Sequence, residues 1–303
     1  MMAAMISSLE FLVLDVFARR RFEGNQLAVF PHAAGLADEE MQMLAREMHF
    51  SETTFVLADR PGGRGWPVRI FTPAREVPFA GHPTLGTAYV IWERFLNRQA
   101  DEVELDLKAG SVPVEIRESG RLLMMTQRRP EFGRRVGAAE AADVLGLAVE
   151  EIDERFPIEE VATGLPFLIV PVRRLAAVQR IRVNLASYYR LIEQLAAKAV
   201  LVFCPETTDP DCRLHVRVFC DYYEVPEDPA TGSANGCLCG WLVRHRYLGS
   251  AELAIRTEQG IELQRPSELW LEGRETSEGI VVRVGGRVVP VAEGALTSPG
   301  SGL

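Results

Sequence analysis

The chain has 303 residues, 47% of them hydrophobic and 25% charged, the proportions of an ordinary globular protein and not of a disordered, collagen-like or membrane-embedded one. At about 150 residues per domain, that length predicts one large domain or two ordinary ones. The net charge of −9 comes with no basic stripe and no run of 18 uncharged apolar residues, so neither nucleic acid nor a membrane is expected as a partner. A small anionic ligand stays compatible, because backbone amides and one or two arginines can hold a carboxylate whatever the net charge. The opening MMAAMISSLEFLVLDVF lacks a basic n-region and its apolar run breaks at Asp15. The five cysteines, Cys204, Cys212, Cys220, Cys237 and Cys239, form no CxxC. An odd count without a signal peptide predicts buried thiols in a reducing, cytoplasmic compartment, with no metal site. Only Lys108 and Lys198 are lysines, and neither lies near the motifs below, so Schiff-base chemistry is not expected.

Short apolar runs bounded by Gly, Pro and Asp predict strands at 11–17, 27–30, 53–57, 68–71, 103–107, 112–116 and 122–126. Glu118-Ser119-Gly120 and Gly285-Gly286 read as hairpin turns. Helical spacing predicts helices at 38–48, with Asp38 as N-cap, and at 83–96, 138–145, 185–197 and 234–246. Strands outnumber helices, and neither GxGxxG nor GxxxxGK[ST] is present. The pattern is α+β, with antiparallel or mixed sheets.

An internal repeat organises the rest. VRIFTPAREVP (Val68 to Pro78) and VRVFCDYYEVP (Val216 to Pro226) match at an offset of 148, and each then reaches a glycine that opens an apolar helix, Gly81 and, after a loop three residues longer, Gly232. Two similar domains follow, 1–120 and 121–303, each a strand-rich shell around one long apolar helix; a last strand pair at about 279–292 is expected to return to the first. Duplicated folds tend to bind between their halves. Two helix starts, FAGHPT and EDPATGSANG, would there hold an anion through unpaired N–H groups.

Three ionisable residues stand out. Glu52, in HFSETTFVL, falls where a helix ends and a strand begins, and its repeat counterpart is the unionisable Val200. One-base proton chemistry needs that asymmetry, whereas a structural repeat does not. His82 beside a carboxylate is a proton partner, and Asp228 stands just before the second helix start. Each also has an ordinary reading: a capping glutamate, a satisfied helix-start imidazole, a turn aspartate before proline. His32, His49, His215 and His245 show no evident partner.

SETTF, RIFTPAREVPFAGHPTLG, DPATGSANG, EQG (Glu258 to Gly260) and RPS (Arg265 to Ser267), in this order, closely resemble the phenazine-biosynthesis PhzF-like isomerases from about Phe11 to Val291. The resemblance implies the diaminopimelate-epimerase-like fold, in which two similar domains each wrap a curved, mostly antiparallel or mixed sheet around a central helix, with the active site between them. It further implies a cofactor-independent, cytoplasmic isomerase, a homodimer, that shifts a proton within a small cyclic or unsaturated carboxylate like trans-2,3-dihydro-3-hydroxyanthranilate. By motif, Glu52 is the acid/base, His82 and Asp228 assist it, and Gly81, His82, Gly232 and Ser233 hold the substrate. Gln26 departs from the family's proline after Gly-Asn. Two alternatives stand beside this reading. One is a non-catalytic ligand-binding or scaffolding protein of the same fold. The other is a two-cysteine epimerase or racemase, disfavoured because neither helix-start motif holds a cysteine and Cys237 and Cys239 lie more than one turn inside the helix.

Overall fold

The computed structural model describes residues 8–297; residues 1–7 and 298–303 of the two expected domains lie outside that range. The chain forms two compact units, one comprising the chain up to Phe22, Gln26–Leu123 and the part from Arg287, the other Glu23–Asn25 and Met124–Gly286.

In the first unit, strands β1 (Ser8–Val16), β2 (Asn25–Phe30), β3 (Glu52–Val56), β4 (Trp66–Phe71), β5 (Glu76–Val77), β6 (Glu102–Leu107) and β7 (Gly110–Arg117) accompany helices α1 (Asp38–Met48) and α2 (Gly81–Arg94). Helix α1 spans its expected range, but its N-cap is Ala37, whose N–H donates to the Glu40 carboxylate at 2.7 Å. Asp38 is the first helical residue and bonds Arg69 instead, at 2.5 Å. Helix α2 starts at Gly81, two residues before the expected Pro83. Proline is tolerated in that first turn because the N–H it lacks would have had no helical partner. Residues 81–92 of α2 are all buried, and a Cβ on Gly86 would stand 2.4 Å from Leu27 Cδ2; only glycine lets strand and helix approach so closely.

Strand β8 (Leu122–Thr126) leads into the second unit: β9 (Glu131–Val136), α3 (Ala138–Leu145), β10 (Ile158–Ala162), β11 (Pro166–Pro171), α4 (Leu175–Gln179), α5 (Leu185–Ile192), β12 (Ala199–Cys204), β13 (Leu214–Cys220), β14 (Val225–Asp228), α6 (Gly232–His245), β15 (Glu252–Gln259), β16 (Ser267–Thr276) and β17 (Gly279–Gly286). Helix α5 stops at Ile192, short of the expected 197, and there Lys198 turns its ammonium onto the carbonyls of Ile192 and Leu195. Helix α6 begins at Gly232, again two residues early, and every residue from Gly232 to Val243 except Ser233 is buried. The expected hairpin at Gly285-Gly286 does not form. Only Arg287 separates β17 from β18 (Val288–Thr297), too short a link for a turn, and the two strands pair with β16 and β1 respectively.

The two units match strand for strand. β2 and β3 are parallel, as are β11 and β12; β4 runs antiparallel to β3 and β5 and parallel to β6, as β13 does to β12, β14 and β15. Each unit is thus a mixed sheet around one buried helix, α2 or α6. The ladders refine the alignment. Thr53 pairs with Phe71 and Val200 with Phe219, while Leu27 pairs with Glu52 and Phe167 with Ala199. The counterpart of Glu52 is therefore Ala199, not Val200, because the second repeat is one residue longer between this strand and the next. Since a one-residue slip exchanges the faces of a strand, the correction matters: Val200 matches Thr53, its near-isostere, and Glu52 is replaced by a buried methyl group.

Candidate active site

Glu52 opens β3, three residues after the left-handed His49 that ends α1. Its side chain is 19% exposed, and Oε2 lies 3.5 Å from Nε2 of His82, the second residue of α2, whose side chain is 6% exposed. The same Nε2 is 3.2 Å from the main-chain carbonyl of Gln26. A carbonyl only accepts, so Nε2 carries the hydrogen. Gln26, where the family has proline, presents its backbone here, and the contact does not depend on its side chain. Burial pushes the Glu52 carboxyl up to about 7, against the opposing effect of a hydrogen bond with Ser51. A carboxyl at that value takes up and releases a proton near neutrality, as a general acid/base must.

In the second unit Asp228 ends β14, and Gly232 and Ser233 open α6. Both Asp228 carboxylate oxygens accept hydrogen bonds: Oδ1 from Asn25 Nδ2 at 2.9 Å, Oδ2 from the Thr231 hydroxyl. Asn25 also donates to the carbonyl of Ala230 at 3.0 Å. Gln259, the middle residue of EQG, has no exposure and donates to the Asp228 carbonyl at 2.7 Å. Arg265, from RPS, binds the carbonyls of Gly24 and Glu23 at 2.7 and 2.6 Å and so steadies the segment that carries Asn25. The uncharged partners escape a search for ionisable groups; the traces in the sequence are the motifs that contain Thr231 (DPATGSANG), Gln259 (EQG) and Arg265 (RPS).

The ladder places Val77 opposite Ile70 and Asp228 opposite Val218, so Asp228, like Glu52, has an apolar counterpart. The Arg69–Glu76 pair at 2.9 Å matches Arg217–Glu227 at 2.7 Å. The three additional residues of the second repeat thus precede Glu227, in the turn Asp221–Tyr223 and the left-handed Glu224, instead of following the EVP identity. In this alignment His82 corresponds to Ser233.

The remaining candidates are accounted for by structural contacts. All five cysteines are buried and in no disulfide; burial pushes the Cys237 thiol up to about 11, and that of Cys239 upward as well, the wrong direction for a proton-abstracting thiolate. His32 contacts Asp59, His245 contacts Glu159, and His215 sits between Glu258 and Glu262. Asp209, Cys212 and Glu268 bring potential ligand atoms within 4.8 Å of one another, and the Arg256 guanidinium, 3.5 Å from Glu268, already supplies a positive charge there.

Residues 14–294 match the model of the PhzC-PhzF family, described as phenazine biosynthesis-like protein. The chain is 34% identical over 291 residues to the trans-2,3-dihydro-3-hydroxyanthranilate isomerase of Pseudomonas aeruginosa, covering 94% of this chain and 98% of that one. Among solved structures, a PhzF-family phenazine biosynthesis protein of Bacillus anthracis superposes with a TM-score of 0.88 at 28% identity, covering 96% and 99% of the two chains. A predicted epimerase of Pseudomonas aeruginosa gives 0.78 at 34% identity, with coverage of 96% and 100%. Fold, motifs and relatives agree, and the chain belongs to the phenazine biosynthesis-like PhzC-PhzF family of isomerases.

Proposed function

We propose that this isomerase moves a proton between two carbons of a small cyclic, unsaturated carboxylate of the trans-2,3-dihydro-3-hydroxyanthranilate type, without a cofactor, and that Glu52 is the acid/base. The observation that carries the reading is the Glu52 carboxyl, four-fifths buried, pushed up to about 7 and 3.5 Å from the Nε2 of His82. As carboxylate, Glu52 takes the proton from one carbon; the electron pair of that C–H bond delocalises through the conjugated system; the carboxyl then returns the proton to the far carbon and regains its charge. One base on one face suffices. Its apolar counterpart Ala199 is consistent with a single-base reaction, and the thiol pair of a two-cysteine racemase finds no support in cysteines this deeply buried. His82 would donate through Nε2. For Asp228, Gly81, Gly232 and Ser233, the support is the match of GHPT and DPATGS to the family motifs.

The test is turnover of trans-2,3-dihydro-3-hydroxyanthranilate in deuterium oxide. Wild type should convert it and place solvent deuterium at the newly protonated carbon, to the extent that the Glu52 carboxyl exchanges before returning its proton. Glu52→Gln should reduce turnover at least ~10²-fold, the low end for general acid/base catalysis. Full activity of the Gln variant would end the single-base mechanism.

A further inference from the structure

We propose that Thr231 and Gln259 are positioning residues that fix the direction of the Asp228 carboxylate; this deepens, and rests on, the reading that Asp228 takes part in the isomerisation. Gln259 is wholly buried at the end of β15, and its amide is spent on a single turn. Oε1 accepts from the Thr231 N–H at 3.2 Å and Asn235 Nδ2 at 2.9 Å; Nε2 donates to the Asp228 carbonyl at 2.7 Å and to Thr231 Oγ1 at 3.1 Å.

The directions are determined by chemistry. The Asp228 carbonyl only accepts, so the amide nitrogen must face it. Thr231 Oγ1 then receives the second amide hydrogen and directs its own hydrogen to Asp228 Oδ2. Asn25 holds Oδ1 from the other side, so the carboxylate cannot rotate without breaking a bond at each end. A buried amide contributes little net stability once its desolvation is counted, whereas a closed network of this kind specifies orientation. Gly260 completes the arrangement: at φ +74° a Cβ would stand 2.5 Å from the Pro229 carbonyl oxygen, so the chain after Gln259 packs directly beneath the Asp228-Pro229 turn.

The experiment compares Thr231→Val, Thr231→Ser, Gln259→Leu and Asp228→Ala in the full chain, reading kcat and KM separately on trans-2,3-dihydro-3-hydroxyanthranilate and solving the crystal structure of the Val variant. Thr231→Val should lower kcat at least ~10-fold with KM changed less than about threefold, the signature of an interaction that matters after binding. Thr231→Ser should restore most of the rate. Gln259→Leu and Thr231→Val together should cost less than the product of their separate effects, because both act through one hydrogen bond. Wild-type kcat in Thr231→Val beside an impaired Asp228→Ala would overturn the positioning role and leave Asp228 in place; wild-type kcat in Asp228→Ala would remove both. A loss that the Ser variant shares in full would mark a packing role instead. The crystal structure decides without any substrate: an Asp228 carboxylate that keeps its orientation in the Val variant overturns the proposal, and a rotated one supports it. If the Val variant does not fold, Gln259→Leu carries the same structural comparison.

Discussion

Nε2 of His82 lies 3.5 Å from Oε2 of Glu52 while also facing the Gln26 carbonyl at 3.2 Å. One N–H is therefore bonded to an acceptor that never titrates and stands within reach of one that does. When Glu52 gives up its proton the imidazole can lean toward the new charge without changing its own protonation. In a profile of kcat/KM against pH, the acid limb should fall near 7, where burial has pushed Glu52, and not near 4. His82→Asn should lower kcat about 10- to 10²-fold, within the range of one proton-transfer or hydrogen-bonding group. An acid limb near 4 in the wild type would show that Glu52 is not the titrating base.

The same carboxyl makes a prediction about stability. Its folded value, about 7, stands above the ordinary 4.5, so the folded chain binds this proton more tightly than the unfolded one. The associated stability is complete below pH 4.5 and is lost as the pH rises through 7. At pH 8 the ionised group should cost up to about 3 kcal/mol, a cost that Glu52→Gln removes. The Gln variant should therefore melt several degrees above wild type at pH 8 and close to it at pH 5, at about 2–4 °C per kcal/mol. Equal melting at both values would mean that the carboxyl is better solvated than its burial indicates. Lost activity accompanied by gained stability is the usual exchange at a working site.

Thiol chemistry should distinguish the proposed single-carboxyl mechanism from that of a two-cysteine racemase. Every cysteine is buried, and burial pushes Cys237 up to about 11 and Cys204 up to about 12. The native protein should react with a thiol reagent at pH 7.5 only as it unfolds, and Cys237→Ala should keep wild-type turnover. Rapid modification of even one thiol with matching loss of activity would count against the single-carboxyl mechanism.

How much of this was legible in the sequence varies with the physical signal. The span of helix α1 was legible, though not its cap, because Met41 and Ala45 bury one face and acidic residues fill the first turn. The asymmetry of Glu52 was legible too, but its partner was misassigned by one position. Glu-Val-Pro occurs in both repeats, at 76–78 and 224–226, and that identity conceals a three-residue insertion which the Arg69–Glu76 and Arg217–Glu227 bridges reveal. Identity of letters cannot report register; a hydrogen-bonded ladder does. Asn25, Thr231 and Gln259 were not legible as site residues, because uncharged side chains carry no mark of reactivity until a fold brings them to a carboxylate.

Those two bridges give a matched comparison. Arg69 and Glu76 are 22% and 19% exposed, Arg217 and Glu227 only 7% and 12%, and in each unit the guanidinium lies about 5 Å from the ring two residues on, Phe71 or Phe219. Removing one partner of a buried pair strands a charge and costs about 3–5 kcal/mol, against about 0–1 kcal/mol for an exposed pair. Arg217→Ala should therefore destabilise the protein by several kcal/mol and Arg69→Ala by clearly less, measured by denaturant unfolding. Equal losses would mean that the ring contact common to both, or the second carboxylate partner of Arg69, Asp38, outweighs the difference in burial.

His215 is a fully enclosed ionisable group of the second unit. It has no exposure, Nδ1 lies 2.7 Å from Glu258 and Nε2 3.0 Å from Glu262. Burial alone would lower its proton affinity, but two carboxylates on opposite ring nitrogens outweigh burial and push it up to about 9. Burial likewise would raise Glu258 and Glu262, but the hydrogen bonds of His215, Thr208 and Asp209 to Glu258, and the hydrogen bond and charge of His215 with the Arg217 charge at Glu262, together hold both below the ordinary carboxylate value. The signs set a window. The histidine's contribution is complete below its ordinary 6.5 and is lost as the pH rises through 9; that of the two glutamates is present above 4.5 and is lost as the pH falls below it. The joint contribution of these three groups should thus be greatest between about pH 5 and 8 and fall on the alkaline side as the imidazolium loses its proton, separately from the loss through 7 that Glu52 sets. His215→Gln can bond only one carboxylate at a time and carries no charge, so it should lose about 3–5 kcal/mol at pH 7, the cost of breaking a buried ion pair, and show no alkaline step near 9. Melting curves of both proteins from pH 5 to 10 decide the point: an alkaline step that survives in the Gln variant would assign the transition to another group and leave His215 neutral in the folded chain.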